Sequence, residues 1–204
     1  MTFLIPNQPP PILLSVDFRN PPIDVGLPPG GWIAGGGLYF PVNAPDTGAG
    51  LPMGGMSFRD VVVQMQLSIV EGDGNDLFGV FVRRTASGRY FCFAITANGR
   101  VVIRYVDGRR SQDVIDARIA PDVRFYNGLG APNVFGAVAS GAALTFLLNG
   151  TVVHSVIAER GLAEGELGSY LHHGPTSGRA VVRADWAQVS AVLPPVRFIR
   201  DPGL

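Results

Sequence analysis

With 16 basic and 16 acidic residues in 204, the chain has no net charge and no electrostatic footprint for nucleic acid or an anionic membrane surface. Its 27 glycines, 17 prolines and only 16% charged residues separate many short apolar runs. That is the composition of a turn-rich all-β protein, in one well-buried domain or two very small ones. No run approaches the roughly 20 apolar residues of a membrane span, so no membrane insertion is expected.

The start, MTFLIPNQPPP, lacks the basic n-region and continuous apolar stretch of a signal peptide. Residues 1–11 read as a stiff Pro-rich segment entering a domain over 12–192, with a tail over 193–204. This predicts an extracellular domain of a larger protein if that segment is a linker, and a cytoplasmic protein otherwise. Ile12–Phe18 reads as a strand, followed by a Pro/Gly loop. Trp32–Val42 reads as one strand, bent or bulged at Gly35–Gly37. Asn43–Gly55 reads as a loop able to line a site.

Arg59–Val70 has the cleanest alternation: Val61, Val63, Met65, Leu67 and Ile69 on one face, Val62, Gln64, Gln66 and Ser68 on the other. Glu71–Asp76 reads as a flexible turn into Leu77–Arg84, and Tyr90–Thr96 and Arg100–Val106 follow as strands. A two-residue Asn-Gly turn between these last two would mix their faces. A three-residue loop, with Gly99 left-handed, pairs 95 with 101 and 93 with 103 and keeps Phe91, Phe93 and Ile95 opposite Tyr105, Ile103 and Val101.

Arg109–Asn133 is irregular, with a short strand at Val114–Ile119. Val134–Ala139, Ala143–Leu148 and Thr151–Ile157 are strands, the last two joined by an Asn149-Gly150 hairpin turn, which also explains the sequon-like Asn149-Gly150-Thr151. Leu167–His172 and Ala180–Val192 close the domain. No segment of helical period and no internal repeat is present.

The order of several motifs resembles the concanavalin A-like lectin/glucanase superfamily, the LamG and family-16-like jelly rolls. Ser15-Val16-Asp17-Phe18 with Trp32 resembles its opening, and Phe78-Gly79-Val80-Phe81-Val82-Arg83 a strand in its middle. Arg89–Phe93 with Asn98-Gly99-Arg100, Leu144–Val153, Glu166-Leu167-Gly168 and Ala184–Val189 resemble later pieces. The resemblance spans about Ile12 to Val192. It implies a two-sheet antiparallel jelly-roll sandwich, with a sugar or protein site on the concave sheet or at the rim loops, 43–55 or 172–178. Many relatives of this kind are non-catalytic modules; others are hydrolases.

Glu71-Gly72-Asp73-Gly74-Asn75-Asp76 is similar to the ExDxxE signature of family 16 glycosidases, but its glycines read as a turn and its last acid is Asp. Retaining hydrolysis needs two carboxyls held about 5–5.5 Å apart, so no catalytic residue is assigned and the protein is not expected to be an enzyme. Asp73, Asn75 and Asp76 offer hard oxygens that suit Ca²⁺; no other cofactor is expected. His172-His173 reads as a solvent-exposed loop pair whose side chains point apart, and Cys92 as a small mid-strand residue with no catalytic partner.

Gln64, Gln66, Arg83, Tyr90 and Arg104 are the wetter-face residues of the central strands and the candidate ligand-binding set. The function expected is a non-catalytic module for carbohydrate or a cell-surface protein partner. The alternatives are an assembly protein that self-associates through sheet edges or terminal arms, making a homo-oligomer, and a glycosidase-like enzyme.

Overall fold

The computed structural model describes residues 9–20, 27–108, 110–158, 162–176 and 178–192. The regular elements among them are strands: β1 (Ile12–Asp17), β2 (Trp32–Ala34), β3 (Gly37–Val42), β4 (Thr47–Pro52), β5 (Val61–Glu71), β6 (Leu77–Arg84) and β7 (Arg89–Ile95). They continue as β8 (Arg100–Asp107), β9 (Arg110–Arg118), β10 (Asn133–Ser140), β11 (Ala143–Leu148), β12 (Thr151–Ile157), β13 (Glu166–His173) and β14 (Ala180–Ala191). The tail expected over 193–204 and residues 1–8 of the Pro-rich segment lie outside the described residues.

The strands form two antiparallel sheets. One has the order β12-β11-β10-β5-β14-β3-β2, with β1 also paired to β14. The other has the order β4-β13-β6-β7-β8-β9. In the eight-stranded sheet β5 runs along one side of β14, while β3 takes Ala180–Ala184 and β1 takes Ile12–Asp17 opposite Trp186–Ser190 on the other. This is the two-sheet antiparallel jelly-roll sandwich that the order of the motifs implies.

The core lies between the sheets and follows from alternation. Val61, Val63, Met65 and Leu67 of β5 are buried against Phe91, Phe93 and Ile95 of β7 and Val101 and Ile103 of β8, all in one cluster. The β7–β8 loop has the three-residue form: Ile95 pairs with Val101 and Phe93 with Ile103, and Gly99 has φ +81°. The Asn149-Gly150 turn is the expected two-residue hairpin, with Leu148 opposite Thr151 and φ +48° and +83° at its centre.

Three elements differ from the sequence expectation. Trp32–Val42 is not one bent strand; Gly35 and Gly36, at φ +53° and +74°, turn the chain so that β2 folds back on β3. The loop expected over Asn43–Gly55 contains β4, an edge strand held by β13 alone in its sheet. Its glycines, Gly48 and Gly50, hide any alternation. The stretch around Val114–Ile119 is a nine-residue edge strand, β9, exposed at all but one of its positions, so no buried face marks it in the sequence.

Candidate functional site

The outer face of the six-stranded sheet is built in rows across its strands. One row runs Pro52, Gly168, Phe81, Cys92, Arg104, Asp113. The next runs Gly50, Tyr170, Gly79, Ala94, Val102, Asp116. Leu77, Phe81, Cys92, Ala94, Val102 and Tyr170 form a second, smaller apolar cluster, with Tyr90 half-buried on top of it. The Tyr90 ring stands edge-on to Phe81 at 5.8 Å and tilts toward Tyr170 at 6.5 Å.

Guanidinium groups flank this aromatic patch. Arg104 donates to both carboxylate oxygens of Asp113, at 2.5 and 3.2 Å. That pairing raises the Arg104 pKa further. Arg84 lies 4.8 Å over the Phe81 ring and is fixed by Glu166 through bonds of 2.9 and 2.7 Å. The Arg104 pair is bidentate, while both Arg84 donors meet the single Oε2 of Glu166; two bonds in each pair hold the partners in one orientation. A third pair, Arg100 with Asp116, lies at the β8–β9 edge. Glu166, Asp113 and Asp116 are thus each engaged by an arginine, and the outward positions of β6 and β7 carry no carboxylate.

Burial sets the titration on this face. It pushes the Cys92 thiol up to about 12, and Tyr170 is raised, again chiefly by burial. His172, half-buried at the end of the face beside Gly48, is lowered by burial and by the nearby Arg104 charge.

The candidate ligand set does not come together. Tyr90 and Arg104 share the six-stranded face, while Gln64 and Gln66 point out of the eight-stranded sheet on the opposite side of the sandwich. Arg83 is not on a wet face at all; it is 2% exposed. Between the pairs Arg84–Glu166 and Phe81–Gly168, β6 has one residue more than β13, and Arg83 takes φ +57° in that bulge. The side chain turns inward and donates to the carbonyls of Leu162, Gly141 and Arg59 at 2.8, 2.6 and 3.4 Å. Arg84, which strict alternation would send inward, takes the outer position instead.

The Glu71–Asp76 turn is also reassigned. It is pinned rather than flexible: Asp76 is 0% exposed and accepts the Gly174 and Asp73 amides at 2.8 and 2.7 Å, with His173 Nδ1 2.8 Å away. Glu71 is exposed and paired with Arg179, so these acids do not line one strand face as a glycosidase pair. Asp73 is committed to the turn as well, its carboxylate accepting the Asn75 amide at 2.6 Å. Both Asp76 oxygens and Oδ1 of Asp73 thus accept amides within the protein, and no group of three or more His, Cys, Asp or Glu residues suited to a metal is present among those described. The expected solvent-exposed histidine pair is corrected too: His172 and His173 both lie in β13, and only His172 reaches the surface.

No protein-family model and no curated protein sequence matches the chain. Solved structures do. The laminarinase catalytic domain from Thermotoga maritima superposes with a TM-score of 0.63 at 9% identity, covering 92% of this chain and 100% of that one. The Bacillus licheniformis β-glucanase gives 0.61 at 9% identity, over 91% and 100%. The carbohydrate-binding module CBM66 from Bacillus subtilis gives 0.54 at 11% identity, over 71% and 84%. These likenesses establish the concanavalin A-like jelly-roll fold.

Proposed function

We propose that the protein is a non-catalytic module that holds carbohydrate on the outer face of its six-stranded sheet. The observation that carries the reading is Tyr90, half exposed in an aromatic patch, between two guanidinium groups already locked by carboxylates. A sugar ring stacks on such an aromatic surface while its hydroxyls meet donors that lose little freedom on binding. The arginine-bound state of Glu166, Asp113 and Asp116 favours binding over hydrolysis, which needs a free acid and a free nucleophile. Solved structures of similar fold include both a carbohydrate-binding module and glucanases.

Affinity electrophoresis through gels carrying soluble polysaccharides, with a parallel assay for new reducing ends, tests this. Retention on at least one glycan without release of reducing ends is expected. No retention on any glycan would sink the reading, and new reducing ends would replace it by a hydrolase.

A second reading, self-association through a sheet edge, has its own support. Edge strand β12 exposes Val152 at 55% and Ile157 at 75%. Sedimentation that stays monomeric at the highest attainable concentration would remove it.

A further inference from the structure

The opposite side of the sandwich holds a cleft that the six-stranded face does not use. It is open to solvent, about 500 Å³ in volume, on the outer face of the eight-stranded sheet. Gln66 of β5 and Val134 of β10 form its floor; Arg124, Tyr126 and the Asn149-Gly150 turn are its walls. That volume falls in the range of small-ligand sites, about 300–1,000 Å³.

The walls are held by two asparagines. Asn133, 1% exposed, accepts the Tyr126 amide at 3.0 Å and donates to the Tyr126 carbonyl at 2.8 Å. Asn149 donates to the Arg124 carbonyl at 2.9 Å and to Asn133 Oδ1 at 2.8 Å, while accepting the Val134 amide at 2.8 Å. The loop that carries Arg124 and Tyr126 is thereby tied to the turn across the cleft. The floor is oriented too: Gln66 donates to Asp185 at 2.9 Å and accepts from Trp186 at 3.1 Å. An amide has two hydrogens and two lone pairs, so Gln66 keeps one of each for a ligand.

The charge of the lining is one-sided. Arg124 stands 5.1 Å over the Tyr126 ring, whose residue is 41% exposed. Among the described residues Arg124 makes no ion pair, and the lining contains no acid. A guanidinium fork matches a carboxylate, an exposed aromatic face matches the apolar face of a pyranose, and a primary amide matches hydroxyls.

We propose that this cleft binds a uronate-bearing saccharide: its carboxylate on Arg124, its ring against Tyr126 and its hydroxyls on Gln66. The site stands apart from the one assigned to Tyr90, and neither reading depends on the other.

The test is calorimetric titration of the full chain with galacturonate trisaccharide, galactose trisaccharide and a sulfated oligosaccharide, at low and moderate salt. The uronate is expected to bind most tightly, to weaken with salt, and to lose about tenfold or more in affinity in Arg124→Gln and in Tyr126→Ala. Arg110→Gln, an exposed position of edge strand β9 outside both proposed sites, should leave that affinity unchanged. Both cleft side chains are exposed or at a loop surface, and an unchanged melting temperature checks that the variants fold. Absence of uronate binding, equal binding of the neutral trisaccharide, preference for sulfate, or indifference to both cleft substitutions would each overturn the proposal.

Discussion

Phe93 sits at the centre of the sandwich, with ring centroids 5.7 Å from Phe135 and 5.5 Å from Phe146 of the facing sheet. Phe93→Ala should cost about 3–5 kcal/mol in urea unfolding, because the hole it leaves is walled by both sheets and cannot collapse. Arg83 is the less intuitive case. Arg83→Met would keep the bulk but strand the carbonyl of Leu162, which is 1% exposed, and should cost about 1–3 kcal/mol in the same measurement. Cys92 should stay inert to a thiol reagent at pH 8 until the protein unfolds, since burial holds its thiol up to about 12. His172 fixes an acid limb. Its native pKa lies below the ordinary imidazole value, so on acidification the unfolded chain takes the proton first. Stability is therefore intact above that value, falls as the pH drops through the window, and stops falling once the native ring is also protonated. His172→Asn should flatten the dependence of the melting temperature between about pH 7 and 5.

At the scale of the element, legibility depended on whether one face of a strand meets the core. β5, β7 and β8 were readable, core face and register included, because their alternation is enforced by burial. The β7–β8 loop was readable because only one loop length keeps Phe93 opposite Ile103. Gly99→Ala there should cost about 1–2 kcal/mol, since an L side chain resists φ +81° and the new methyl would also crowd Phe125. β4 and β9 were hard to read for the opposite reason: both are edge strands with little buried side chain to impose a pattern. The bulge at Arg83 left no local mark either. It exchanges the faces of Arg83 and Arg84, and it exists because β6 must accommodate one residue more than β13 between two fixed pairs.

For the whole molecule, alternation tells which side chains turn away from the core but not which sheet they leave. Gln64 and Tyr90 both turn away, yet they emerge on opposite surfaces because β5 joins β14 and β7 joins β8. Those pairings link residues more than a hundred positions apart in one case and fewer than twenty in the other, and only the near one could be argued from spacing. On the face proposed above for binding, alternation alone puts Tyr90 and Arg104 at outward positions, while Arg84 comes there through the bulge and Tyr170 through the distant pairing of β13 with β6. The place of β14 has a further consequence for biosynthesis. This strand, last in sequence among the fourteen described, is the one on which β1, β3 and β5 all pair. A nascent chain emerging from the ribosome would hold β1 without its partner until β14 had been translated. Release at residue 179 should accordingly leave a product digested throughout by a low dose of protease, the β6–β9 meander included, rather than a trimmed but folded core.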